Sequence, residues 1–303
     1  MFEMLRISSN AGIIKRWFVL EYNEEEIFML SESIYFTGIG KVLVGRDRPK
    51  IAASIMAYDE NDFVRKAKLA NAAPCDLIEL RCDALAMGRY RSPEIIKTIV
   101  LAVKDVTDKP IILTIRSMEE GGMANIERKS YYALIRDIIE IFDLEAIKPE
   151  AIDIEAFDKD YGPRSDMMEF IVNLAHDVGM KVIISNHDVA ETPPVDDIVK
   201  RLIIMDQFGA DIPKVAYMPK NSSDVQKVIT AAKLAEEHIG KPYITISMGT
   251  LGKKTRLYCN EEKNLFKGTA ITFGALNDEY SAEGQPDVFE LADELNKVLQ
   301  NKT

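Results

Sequence analysis

Two side chains stand out by type and position: Lys214 in "IPKVAYMP" (212–219) and His187 in "KVIISNHD" (181–188). Both sit in short apolar runs. A neutral amine adds to a carbonyl, and an imidazole with an ordinary pKa of ~6.5 takes and returns protons near neutrality. A free lysine, with a pKa of ~10.4, is neutral in only ~0.04% of molecules at pH 7. Burial and nearby cations would lower that pKa toward ~7–8, so the apolar setting of Lys214 is useful chemically. Side chains alternate faces along a strand. In "DLIELRCD" the alternation groups Leu77, Glu79, Arg81 and Asp83 against Ile78, Leu80 and Cys82. The same parity groups Ile112, Thr114 and Arg116, then Asp153 and Glu155, then Ile183, Ser185 and His187, then Lys214, Ala216 and Met218. A buried charge without a partner is costly. These residues therefore form either an internal ion-pair network or a site. His187 beside Lys214 favours a site; Asp153 and Glu155 taken alone fit either. His176 and His238 each precede a helix-ending glycine, where a histidine suits the helix dipole.

The elements that must hold these groups recur regularly. Strand-like runs occupy 50–56, 75–83, 110–117, 151–157, 181–188, 212–219, 243–249 and 270–276. Helical patterns lie between most of them, as in 125–144 and 223–240, with Gly179 and Gly240 as stop signals and Pro110 and Pro242 opening the next strands. This alternation predicts parallel βαβ units closing into a (β/α)₈ barrel. An open doubly wound sheet is the alternative, weakened because no G-x-G-x-x-G follows the first run. In a barrel the apolar faces pack on the helices and the charged faces point inward. Residues 36–303 form the expected barrel domain, with a hairpin at 35–49 closing its bottom. Residues 1–35 have mixed periodicity and read as an extension without an active-site group.

The 303-residue chain is 47% apolar and carries a net charge of -11. That charge argues against nucleic acid as the main partner. No apolar run approaches the ~18 residues of a membrane span, and no signal peptide opens the chain, so a cytoplasmic protein is expected. The three cysteines, Cys75, Cys82 and Cys259, form no C-x-x-C pair, which supports neither a disulfide framework nor a zinc site. Cys82 reads as a small core residue.

The segments "ELRCD", "TIRSMEEGG", "ISNHD", "PKVA", "ISMG…TR" and "FGALNDEYSAEGQ" occur in one order over residues 35 to 300. In that series the chain resembles type I 3-dehydroquinate dehydratase. The resemblance implies a barrel, usually a homodimer, that works without metal or organic cofactor. It further implies dehydration of 3-dehydroquinate to 3-dehydroshikimate, in aromatic biosynthesis or quinate breakdown. Lys214 then matches the imine-forming lysine, His187 the general acid/base and Glu120 the carboxylate that orients it. Arg256 matches the arginine on the substrate carboxylate. Glu79, Arg81, Arg116, Ser281 and Gln285 match residues on substrate hydroxyls or the carboxylate, and Met248, Phe273 and Ala282 match pocket-lining positions. Glu283 stands where such proteins often have proline, which would loosen the lid expected there. The stretch between Arg256 and Phe273 is also longer than expected. A class I aldolase would explain Lys214 and a Gly-rich "SMGTLGKKT", but not His187 with "SAEGQ". A non-catalytic small-molecule binder would need neither Lys214 nor His187.

Overall fold

The computed structural model describes residues 36–45, 48–158, 162–163, 165–257, 268–276 and 284–300. All of them belong to one compact unit, Ile34–Thr303. The expected extension at 1–35 lies outside the described residues. In chain order the strands are β1 (Thr37–Ile39), β2 (Val42–Val44), β3 (Lys50–Met56), β4 (Leu77–Arg81), β5 (Ile111–Thr114), β6 (Ala151–Glu155), β7 (Phe157–Asp158), β8 (Gly162–Pro163), β9 (Lys181–Asp188), β10 (Ile212–Tyr217), β11 (Ile244–Ser247) and β12 (Ile271–Gly274). The described α-helices are α1 (Glu60–Ala72), α2 (Pro93–Lys104), α3 (Arg128–Glu140), α4 (Ser165–Val178), α5 (Val195–Gln207), α6 (Ser222–Ala235) and α7 (Val288–Gln300). Eight strands make one parallel sheet in the order β11-β10-β9-β6-β5-β4-β3-β12. The sheet curls until its edges meet. The Ala270 N–H donates to the Tyr243 carbonyl at 2.9 Å. Thr269 Oγ1 donates to the Thr245 carbonyl at 2.8 Å, and Thr245 Oγ1 to the Gly268 carbonyl at 3.1 Å. The barrel expected from the alternation is thus present, closed at the β11–β12 seam by side chains as well as backbone.

Two apolar layers explain why the pattern folds this way. Odd positions such as Ile51, Ala53 and Ile55 of β3 join the layer between strands and helices. Ala52, Leu77, Ile112, Ile183, Ile212, Ile244 and Ile271 fill the barrel interior. Fully burying one such Ile or Leu contributes ~1.5–3 kcal/mol, and dozens of them let the fold tolerate buried charge. The β1–β2 hairpin pairs antiparallel, and its Ile39 and Val44 plug the interior layer. Gly40 at its turn has φ +55, and a Cβ there would lie 3.0 Å from Glu150 Cγ and 3.2 Å from Pro110 Cγ. Those residues lead into β6 and β5, so the hairpin covers the N-terminal end, as expected. Some boundaries differ from the sequence reading. The second barrel strand ends at Arg81, and Cys82 and Asp83 lie in a 3₁₀ turn. Cys82 is a buried core residue, as expected. Helix α6 stops at Ala235, so His238 lies beyond it and does not cap its last turn. His176 does lie in the last turn of α4, where its Nε2 meets the Asp211 carboxylate at 2.8 Å.

Candidate active site

At the C-terminal mouth of the barrel is a cavity of about 460 Å³. Its lining includes Glu79, Arg81, Arg116, Glu120, His187, Lys214, Met248, Arg256, Phe273 and Gln285. Every described candidate residue therefore reaches one space. Ser281 and Ala282 lie outside the described residues, as do Glu283 and most of the long segment after Arg256. Parity does the positioning. Lys214 pairs in register with Ser185 on β9, and Ala216 with His187. The lysine thus sits one layer below the histidine on the neighbouring strand.

The sequence alone suggests an ammonium in apolar surroundings. The structure gives it partners. Lys214 Nζ lies 2.8 Å from Asp153 Oδ2 and 4.2 Å from the centre of the Phe273 ring. Asp153 Oδ1 in turn accepts from Arg116 Nη2 at 2.6 Å and from Ser185 Oγ at 2.6 Å. Burial would raise the Asp153 carboxyl, but Arg116 and Lys214 hold it well below the usual carboxylate range. An ionised Asp153 makes the contact with Lys214 Nζ a charge-assisted one. Arg116 is the hub: its Nη1 donates to Glu120, Glu155 and Ser185 at 3.2, 3.1 and 3.0 Å. Burial works against that guanidinium, but Asp153, Glu155 and Glu120 outweigh it and hold its pKa well above the usual value. Glu155 is fully buried and also accepts from Arg128 and from the Ser117 N–H and Oγ–H. The carboxylates Asp153 and Glu155 therefore fit both readings left open by the sequence: they form an internal ion-pair network, and one of them touches Lys214 Nζ.

His187 faces the same space. Its Nδ1 lies 2.9 Å from Glu120 Oε2. That oxygen also accepts from the His187 backbone N–H at 3.1 Å and from Arg116, while Oε1 accepts from Asn186 Nδ2 at 3.3 Å. Burial and the neighbouring Glu155 push the Glu120 carboxyl up, and Arg116 and Arg128 oppose them. Burial, then Arg116 and Lys214, push His187 well below the ordinary histidine value. The His187 backbone N–H, Arg116 and Asn186 all donate to Glu120, an arrangement that suits a carboxylate accepting an Nδ1–H and leaves the Nε2 lone pair toward the cavity. Elsewhere in the wall, Glu79 accepts from Ser54 Oγ at 2.6 Å and from Thr114 Oγ1 at 3.1 Å, and Gln285 Nε2 donates to Ser54 Oγ at 3.3 Å. Arg81 is forked onto Asp83 by two bonds of 2.9 Å.

Arg256 is different. It is 3% exposed, its Nη1 donates to the Phe273 carbonyl at 3.2 Å, and its buried Nε has no partner. No carboxylate pairs with it among the described residues, and burial alone pulls its pKa down to about 10. A buried cation without a counter-ion facing a cavity is a site for an anion. Gly252 makes the turn that places it: a Cβ there would lie 2.0 Å from the Ser247 carbonyl oxygen.

The model of type I 3-dehydroquinase matches residues 51–302. The chain belongs to that family. It is 33% identical over 259 residues to the 3-dehydroquinate dehydratase of Clostridium novyi, spanning 85% of this chain and 95% of that protein. It is 35% identical over 262 residues to the 3-dehydroquinate dehydratase of Clostridioides difficile, again spanning 85% and 95%. Among solved structures, the type I 3-dehydroquinate dehydratase of Clostridium difficile with covalently modified comenic acid superposes with a TM-score of 0.75 at 33% identity, covering 87% of this chain and 97% of that one. The enzyme of Enterococcus faecalis gives 0.70 at 28% identity, covering 84% and 95%.

Sequence reasoning about the type I 3-dehydroquinase site missed Ser54, Val189 and Ile246 in the cavity wall. Ser54 had a readable signal, since it shares the inward parity of Ala52 on β3. Val189 sits in the loop after β9, where parity no longer applies.

Proposed function

We propose that the protein is a hydro-lyase that converts 3-dehydroquinate to 3-dehydroshikimate and water through an imine at Lys214. One observation carries the reading: a buried lysine, a histidine held by a carboxylate, and a buried arginine with no counter-ion among the described residues all face one cavity. Arg256 takes the substrate carboxylate, which fixes the ring. Lys214 gives up a proton and adds to the C3 ketone as the neutral amine, and that proton returns as the carbinolamine loses one water to give an iminium. Asp153 and the Phe273 ring face that positive nitrogen at 2.8 and 4.2 Å. The iminium acidifies the adjacent C–H, because its nitrogen accepts the electron pair. His187 Nε2 takes the proton, giving an enamine and an imidazolium whose Nδ1–H is held by Glu120. The enamine returns its electrons and expels the β-hydroxyl, which takes the proton from Nε2 and leaves as a second water. Hydrolysis of the product imine consumes one water and restores Lys214, so the net release is one water. Glu79 and Gln285 hold ring hydroxyls in this reading. A homodimer in the cytoplasm fits this reading. Among the described residues no helix is long and apolar enough to cross a membrane.

Borohydride added during turnover tests the imine. Reduction should inactivate the enzyme irreversibly and leave one ligand-derived mass per chain on the peptide holding Ile212–Tyr217. Fragmentation must place it on Lys214 rather than Lys220, which is an exposed residue paired with Glu191. Lys214→Ala should lose both trapping and turnover. Lys214→Arg should do no better, because guanidinium stays charged. Turnover without trapping, or an adduct elsewhere, would refute the imine.

A further inference from the structure

We propose that Asn186 and Arg201 form a relay from the outer helix layer that fixes the orientation of Glu120, and through it the tautomer of His187. Asn186 lies between Ser185 and His187 on β9, so its side chain points away from the barrel interior, and it does not line the cavity. It is nonetheless buried. Its amide is oriented by chemistry. The Oδ1 atom accepts from Arg201 Nη1 of α5 and from Tyr217 Oη at 3.0 Å. Arg201 can only donate, so the amide oxygen must face it. The Nδ2 end is then forced toward Glu120 Oε1, at 3.3 Å. Arg201 is itself held with its guanidinium 5.5 Å from the Phe157 ring centre.

The consequence falls on His187. Glu120 is buried beside Glu155, a setting that favours its protonated form. The Asn186 N–H is one of the donors that keep it a carboxylate, able to accept Nδ1–H and leave Nε2 basic. The other charges facing the pair are Arg116 just after β5, Asp153 and Glu155 on β6, Lys214 on β10, Arg81 on β4 and Arg128 on α3. None of them sets which way the Asn186 amide points. Without Arg201 the amide oxygen is held by Tyr217 alone, and a rotated amide would present its oxygen to Glu120, where two acceptors would repel. Asn186 and Arg201 are thus positioning residues for proton abstraction.

The inference rests on the dehydration reading, and wild-type turnover with imine trapping checks that reading separately. The test is the pH dependence of kcat and kcat/KM in Asn186→Leu, Arg201→Leu, Arg201→Lys and the double Leu variant. Removing a donor makes the His187–Glu120 pair bind its next proton more tightly, so the acid limb moves to higher pH. In Asn186→Leu we expect kcat to fall about 10-fold to 100-fold, the scale of a lost hydrogen bond to a charged group. KM should hold and the acid limb should rise by about one pH unit. Arg201→Leu should shift the limb the same way by less, since Tyr217 still donates to Oδ1. Arg201→Lys keeps a donor and should restore the wild-type limb. In the Asn186→Leu background, Arg201→Leu should add nothing to the shift. A merely structural role would lower thermal stability without moving the limb. An unmoved limb in Asn186→Leu, or an equal Arg201 effect with and without Asn186, overturns the relay.

Discussion

Arg256→Met separates folding from function at a single residue. Among the described residues the wild-type guanidinium, 3% exposed, makes one bond to a backbone carbonyl and leaves its buried Nε unpaired. Burial pulls its pKa well below the ordinary guanidinium value, down to about 10. At ~1.36 kcal/mol per pH unit, keeping the charged form buried costs the folded apo-protein about 3 kcal/mol at neutral pH. The sign follows from linkage: a cation whose folded pKa is depressed disfavours the fold at every pH below that value. Methionine fills much of the same volume without charge. The apo-variant should therefore unfold at a temperature higher by about 2–6 °C, taking ~2 °C per kcal/mol for a barrel of this size and some loss from imperfect packing. Activity should move the other way. Losing a charge-assisted clamp on the substrate carboxylate should weaken transition-state binding by ~2–5 kcal/mol, a fall in kcat/KM of ~30-fold to several thousand-fold. Calorimetry of the ligand-free protein and steady-state kinetics, following the enone absorbance of the product, read the two effects. An unchanged kcat/KM would remove Arg256 from the site. A destabilised apo-variant would show that the guanidinium is structurally satisfied after all.

Other expectations follow from the same geometry. Because burial, Arg116 and Lys214 push His187 well below its ordinary pKa, the acid limb of kcat/KM in the wild-type enzyme should lie below ~6.5. By the same linkage the unfolded chain binds the proton first, so stability should fall as pH drops below ~6.5, and His187→Gln should flatten that part of the pH–stability curve. Gly122→Ala should damage turnover, since its Cβ would lie 2.1 Å from the Arg116 carbonyl oxygen and displace the loop carrying Glu120. Kinetics of a variant with wild-type melting behaviour and full activity would contradict that. A chain beginning near Tyr35 should fold and retain turnover. A folded but inactive truncation would show that residues 1–35 contribute to the site.

The sequence by itself determined the barrel and the inward face. Strand parity is a local property, so Glu79, Arg116, Asp153, Ser185, His187 and Lys214 could be assigned to one interior without knowing any distance. Motif order carried Glu120, Arg256 and Gln285, which lie on loops and turns where parity fails. Tertiary structure alone decided who pairs with whom. That Asp153 rather than Glu155 meets Lys214 depends on the stagger between β6 and β10 across intervening β9. That Arg256 lacks a counter-ion among the described residues while Arg81 has Asp83 follows from what each guanidinium finds within a few ångströms, and sequence spacing does not encode that. Asn186 shows the limit most clearly. Its outward parity marks it as a packing residue between strand and helix. It reaches Glu120 only because the loop after β5 folds back to place that carboxylate over β9.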